Sequence, residues 1–298
     1  MTNARWIVPM LLAKALFAAA QPQAPELRSP DRLVREVVYN ELHDHQLHGY
    51  WRYWIAKRAQ QEIRIVEQVE TADGPLNLLR STDGHPLSVE EERAEQERLN
   101  HLLTSPSEQA RRRQDYTDDE KRISRILALL PEAFVYEDAA LQDGRFHLHF
   151  RPNPAYQART IETRIFHAMR GELWIDARSK HLVRLEGQLQ ENVDFGYGLL
   201  GRLYKGGWFR LQRTQVSSTD WKTERLEIHM SGRALFLKTI ARETSEERGG
   251  FAAVPAGLTL AQAMTLLRPA QSAFAAPVVF GHGLMQPESS SLADSVTR

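Results

Sequence analysis

Between His181 and Phe195 the chain alternates with a period of two, HLVRLEGQLQENVDF. Val183, Leu185, Gly187, Leu189, Glu191, Val193 and Phe195 fall on one side, and from Arg184 onward the other side is charged or polar. Successive side chains of a strand point to opposite faces, so the pattern predicts one long strand with an apolar face and a wet face. Fully extended, it would reach about 50 Å. Just upstream, Glu172 to Asp176 (ELWID) predicts another strand, joined to the first by the turn Ala177 to Lys180. Strand patterns also occur over 50–55, 60–71 (with Ile63, Ile65 and Val69 on one side), 76–80, 132–137, 145–151, 161–169, 207–218, 221–232 and 235–246. Asp73-Gly74 and Asp83-Gly84 are turn dipeptides that bracket the short strand 76–80. About ten or eleven strands, most joined to their sequence neighbours by short turns, predict a mainly β, α+β fold built on one large, curved antiparallel sheet or a barrel.

Helical spacing is confined to a few segments. Ser29-Pro-Asp31 is a helix start, and Leu33, Val34, Val37, Val38 and Leu42 repeat along one face until His48-Gly49. Ser88-Val-Glu-Glu91 is a capping box, which predicts a charged helix to about Leu103. Ser105-Pro-Ser107 breaks that helix. A second helix is expected from about Asp118 to Leu130, burying Ile123, Ile126, Leu127 and Leu130 and ending at Pro131. The pair, 88–130, reads as an insertion lying over the sheet. A short helix over 258–267 is expected in the segment 256–298, and the remainder, rich in Ala, Pro and Ser, reads as a flexible tail.

Composition narrows the classes. Among 298 residues, 38 Lys and Arg balance 38 Asp and Glu, so no basic excess points to nucleic acid. Residues 1–20 read as an export signal: Arg5 at the start, a mostly apolar stretch from Trp6 to Ala19, and Ala18 to Ala20 before Gln21 as a small-residue cleavage site. This predicts a periplasmic protein whose mature chain has no spanning segment. There is no cysteine, which removes disulfides, thiolate nucleophiles and cysteine-held zinc.

Candidate chemistry is sparse. Gly196 to Gly201 (GYGLLG) fits G-x-G-x-x-G, with Asp220 about 20 residues on, but a strand is expected after it where a dinucleotide site needs a helix N-terminus. His43, Asp44, His45 and His48 crowd the expected end of the first helix, where histidine also suits the helix dipole. His147 and His149 share one face of a strand, opposite Phe146, Leu148 and Phe150, and are expected to face solvent. No nucleophile elbow, H-E-x-x-H pair or Walker loop occurs, so neither a catalytic residue nor a metal or cofactor is expected.

The export signal, the N-terminal amphipathic helix, the long meander interrupted by a helical pair, and the run GELWIDARSKHLVRL from Gly171 to Leu185 together resemble the lipoprotein-carrier (LolA-like) superfamily over about 27–255. The resemblance implies an open half-barrel whose concave apolar face is covered by helices. Members of that group ferry lipid-modified proteins or lipids, or act as periplasmic sensor and binding modules. The helical insertion, the tail and the long central strands depart from the group's pattern.

On this reading Val183, Leu185, Leu189, Val193 and Phe195 face the concavity, joined by Leu226, Ile228 and Met230 from a later strand and by Trp51, Tyr53 and Ile55 from the first. Two outcomes stay open. The space holds a lipid or an acylated polypeptide, or helices fill it and the protein is an envelope interaction or sensor module that docks a protein partner.

Overall fold

The structure, a computed structural model, describes residues 29–43, 49–59, 61–195, 201–234 and 238–267. The expected signal segment and the tail beyond 267 lie outside the described residues. Helix α1 (Pro30–His43) starts where the sequence places it: the Ser29 carbonyl accepts the N–H groups of Arg32 and Leu33 at 3.0 and 3.1 Å, and proline occupies the first turn. Leu33, Val34, Val37 and Val38 form its buried stripe. A meander follows, β1 (Tyr50–Ala59), β2 (Glu62–Val69), β3 (Leu76–Thr82) and β4 (His85–Pro86). Asp83 and Gly84 both have positive φ (51° and 81°), the two-residue hairpin geometry that the dipeptide predicts.

The helical insertion is longer than its expected bounds. Helix α2 (Val89–Thr104) carries the capping box: Ser88 Oγ accepts the Glu91 N–H, and Glu91 accepts the Ser88 N–H. Helix α3 (Pro106–Ala133) begins one residue after the break, not at Asp118, because Ser105 caps it and Pro106 sits in its first turn, where no N–H is missed. It runs through Pro131 for a last turn, ending at Ala133. Its apolar residues are less covered than helical spacing suggests: Ile123 is exposed, while Ile126, Leu127 and Leu130 are half-buried.

The second meander comprises β5 (Phe134–Gln142), β6 (Arg145–Pro152), β7 (Met169–Asp176), β8 (Leu182–Leu189), β11 (Trp208–Gln215), β12 (Trp221–Ala234) and β13 (Lys238–Val254), with β9 (Val193–Phe195) and β10 (Gly201–Leu203) as a side hairpin. Two expectations change here. Residues 161–169, expected as a strand, form helix α4 (Ile161–His167), because Thr160 and Thr163 cap it reciprocally and Ile165 and Phe166 pack on the core. The strand expected from His181 to Phe195 breaks at 190–192: Leu189 still bonds Gly207, but β9 turns away to pair with β10 alone. Helix α5 (Leu260–Leu267) closes the described chain.

All strands are antiparallel in one open sheet, in the order β4-β3-β2-β1-β13-β12-β11-β8-β7-β6-β5. Thirteen strands are present among the described residues, more than the ten or eleven expected because β4, β9 and β10 are only two or three residues long. The last strand pairs with the first, Tyr50 opposite Val254, and so joins the two meanders.

Curvature follows from α3. Near its start, Arg113 Nε donates to Asp73 Oδ1 at 2.7 Å in the β2–β3 turn, and the Tyr116 ring lies against Gly74; its end runs directly into β5. The helix between these anchors is about 30 Å long. The eight strand steps from β2 to β5 would cover about 38 Å in a flat sheet, before adding that the anchors lie at opposite strand ends. The sheet therefore curls toward α3, which spans it as a chord.

Helices seal the two ends differently. At the β5 end, α1 fills the inner face, its stripe meeting Phe134, Leu148, Phe150, Leu173, Ile175 and Leu189. Its C-terminal turn is tied down by Asn40, which donates to the Ser179 and Lys180 carbonyls at 3.3 Å, and by Glu41, which pairs with Arg213. At the β3 end, α2 and α5 pack on the opposite, outer face against Val69 and Leu76. There α2 also closes the sheet edge: Glu95 accepts the Leu79 N–H and Arg98 donates to the Asn77 carbonyl, both at 2.8 Å.

Asp220 pins the β11–β12 turn to the start of β1. Burial raises its pKa, but hydrogen bonds from Ser217 Oγ (2.6 Å), the Gly49 N–H (2.8 Å) and Thr219 Oγ1 (3.0 Å) outweigh that and bring it down to about 2. A folded-state pKa below the unfolded value stabilises the fold above the unfolded pKa, and that contribution is lost as pH falls through the folded one. Asp220→Asn is expected to lower stability by about 2 kcal/mol at pH 7. In urea titrations the gap from wild type should shrink between pH 4 and pH 2; a gap that stays constant over that window would contradict the assignment.

Candidate functional site

Strand register brings the apolar side chains into rows across the sheet. Leu148, Leu173, Leu185, Leu211 and Leu226 lie directly opposite one another along β6, β7, β8, β11 and β12. The next row is Tyr136, Phe150, Gly171, Gly187, Phe209 and Ile228. Glycine at 187 has a packing reason: a Cβ there would sit 2.5 Å from the Phe209 ring and 2.7 Å from Met169 Sδ. Both rows lie on the face that α1 covers.

Cover thins along the rows. Leu148 and Leu173 are buried under α1, whereas Leu185, Phe209, Leu211, Leu226, Ile228 and Met230 are half-buried. Helix α1 reaches β11 through the Glu41–Arg213 pair, while Leu226 and Ile228 on β12 keep part of their surface exposed. The apolar strip ends sharply beyond β12. Leu226 faces Glu246 on β13, which pairs with Lys57 of β1 at 2.7 Å and with Arg248 at 2.9 Å; Ile228 faces Thr244. The result is a strip filled at one end, half-open over β8, β11 and β12, and closed off by an ion-pair seam.

The sequence-predicted residues divide between these regions. Leu189 and Val193 are buried in the main core, with Leu185, Phe195 and Met230 packed against it. Leu226 and Ile228 continue its rows. Val183 is buried but unpaired in the β7–β8 ladder: the register slips between Trp174 opposite Arg184 and Ile175 opposite Leu182, which makes Val183 the extra residue of a bulge. Trp51, Tyr53 and Ile55 form a separate cluster with Val66, Val216 and Phe251, across the Lys57–Glu246 seam from the strip. Beside them the Tyr53 hydroxyl donates to Glu70 at 3.2 Å, and Glu70 also accepts Lys222 Nζ at 2.9 Å. Burial, and then the Glu70 charge, push the Tyr53 phenol well above its usual range, so it stays a neutral donor.

Phe209 and Leu211 also lie in the strip, outside the set of residues expected to face the concavity. Their signal was the alternation in WFRLQ, which places both on one face of β11.

Of the other sequence candidates, Gly196 to Leu200 and Asp44 to His48 lie outside the described residues. Gly201 opens strand β10, and Asp220 serves the turn described above. His147 and His149 lie on the outer face, opposite the core side of β6 that Leu148 and Phe150 occupy. No helix among the described residues is long and apolar enough to cross a membrane.

No protein-family model matches the chain, and no curated protein or solved structure matches it at a significant level.

Proposed function

We propose that this chain is an exported, periplasmic, non-enzymatic binding protein that holds the acyl chain of a lipid, or of a lipid-modified polypeptide, along the half-open strip of β8, β11 and β12. One observation carries the reading: two rows of apolar side chains pass from buried positions under α1 to half-buried ones on β11 and β12, and stop at an ion-pair seam. An acyl chain laid there would bury about 0.8 kcal/mol per methylene, so ten methylenes would supply affinity in the micromolar range before other costs. Such holding asks for no polar chemistry at the strip. The N-terminal segment 1–20, acting as an export signal, would deliver the protein to a compartment bounded by lipid.

The test is uptake of a fluorescent fatty-acid probe by delipidated protein. Binding at micromolar protein is expected, with Ile228→Asp weakening it by about 10-fold or more, since a carboxylate in the strip meets the acyl chain unpaired. Absence of uptake, or uptake unaffected by Ile228→Asp, would overturn the reading. The α1 stripe, which fills the other half of the same face, favours a second reading: an envelope interaction or sensor module that takes a protein partner. No probe uptake together with a stable complex isolated from envelope fractions would support it.

A further inference from the structure

The outer face of the sheet carries a group of side chains independent of the apolar strip. His147 and His149 are two apart on β6, so their imidazoles stand on the same face, with ring centroids 4.9 Å apart. Glu172 lies on the neighbouring strand β7, directly opposite His149. Its carboxylate lies between the two rings, Oε2 2.9 Å from His147 Nε2 and Oε1 3.7 Å from His149 Nδ1. One donor atom from each residue falls within 4.8 Å of the others.

We infer that His147, His149 and Glu172 form a binding site for a late first-row divalent metal ion, of the zinc class. Two neutral imidazoles and one carboxylate are a donor set that suits such ions and is poor for calcium or magnesium, which take oxygen ligands. The strand ladder already fixes the three Cα positions, so bond lengths near ~2 Å need only rotation of the His149 and Glu172 side chains toward His147. Three protein ligands leave a position open to solvent, for water or for a group brought by a bound partner.

The surroundings supply the rigidity that such a site needs. The Trp174 ring stacks on His147 at 4.5 Å and 6°, which fixes the plane of that imidazole. The Arg184 guanidinium in turn lies over Trp174 at 4.6 Å. Charge in the row is arranged so that Glu172 is the carboxylate given to the histidines. Glu137, beside His149 on β5, is paired with Arg151 at 2.8 Å, and Glu186, beside Glu172 on β8, is paired with Arg184 and with Arg210. Each flanking acid thus has a guanidinium partner, and each of these arginines has a carboxylate that offsets its repulsion of a bound cation.

The test is a competition titration of the full chain with Zn2+, run on wild type, His147→Ala, His149→Ala and Glu172→Gln. The sequence offers a second histidine source in His43, His45 and His48, so a variant with all three changed to alanine is titrated as well. One equivalent bound with micromolar affinity is expected. Either histidine change should weaken it by about 10-fold or more, and Glu172→Gln by a similar factor, while the triple variant keeps it. His147, His149 and Glu172 stand on the outer face and are partly exposed, so circular dichroism should show an unchanged fold in their variants. Cu2+ should also quench tryptophan emission in wild type and do so less in Trp174→Phe, because that ring stacks on a ligand. Absence of binding at about 100 µM free Zn2+, or binding that survives His147→Ala with His149→Ala but vanishes in the triple variant, would overturn the assignment.

Discussion

Glu67→Ala is expected to lower the stability of this protein by about 4 kcal/mol. Glu67 is 2% exposed in the middle of β2, and its carboxylate accepts Arg52 on one oxygen and Arg80 on the other. Arg52 is itself buried on β1, and Arg80 of β3 reaches past Glu67 to donate to the Leu267 carbonyl at the end of α5, 2.7 Å away. One carboxylate therefore serves three adjacent strands and, through Arg80, the C-terminal helix. Truncating it leaves two guanidiniums beside each other with their shared counter-charge gone, so less of the desolvation they suffered on folding is offset. For a domain of this size the melting temperature should fall by roughly 10 °C. The cause is charge and not lost volume, so Glu67→Met combined with Arg52→Met should cost less than Glu67→Ala alone. Thermal and urea unfolding of the three proteins checks this; a double variant as unstable as the single one would show that the triad contributes by packing.

The apolar row on the inner face yields the second large effect, through a contrast within one line of leucines. Leu148 has no exposed surface and lies beneath α1; Leu226, four strands along the same row, is half-buried. Leu148→Ala removes methylenes from a close-packed site that α1 and the neighbouring strands cannot refill, and should cost about 3 kcal/mol. Leu226→Ala should cost about 1 kcal/mol, because water already reaches part of that side chain. The ratio measures where helical cover ends. Equal losses at both positions would mean that the strip over β12 is as closed as the core beneath α1, which would leave no open surface for an acyl chain.

Local signals made much of this fold legible in the sequence, and the failures have identifiable causes. The start of α1, the capping box of α2 and the hairpin at Asp83-Gly84 are written in residues within a few positions of one another, and each appears where expected. The same holds for the alternation in β6, which correctly sends His147 and His149 to the outer face. Ambiguity entered where one local signal has two readings. Pro106 reads as a breaker, yet it is also a good first-turn residue, and α3 uses it that way. Ile161 to Phe166 is rich in β-branched and aromatic residues, but a threonine pair caps it and the core accepts Ile165 and Phe166 from a helix. Alternation ran on through 190–192 because Leu189 and Val193 happen to keep the same parity on either side of a change of partner. Least legible was anything set by distant pairing. Nothing near Trp51 reveals that Glu246, Lys57 and Arg248 will divide its cluster from Leu226, since that depends on β13 lying between β1 and β12. For the same reason the carboxylate of Glu172 cannot be matched to two histidines more than 20 residues upstream until β6 and β7 are in register.

The pairing of β1 with β13 also sets a timetable. Tyr50 finds its neighbour at Val254, about two hundred residues later, so the first hairpin to leave the ribosome keeps a bare side until nearly all described residues have been made. Contacts of such long range are slow to form, because the entropy of closing the loop is lost before the pairing is gained. A nascent chain of this kind stays open through synthesis and is exposed to aggregation until β13 arrives.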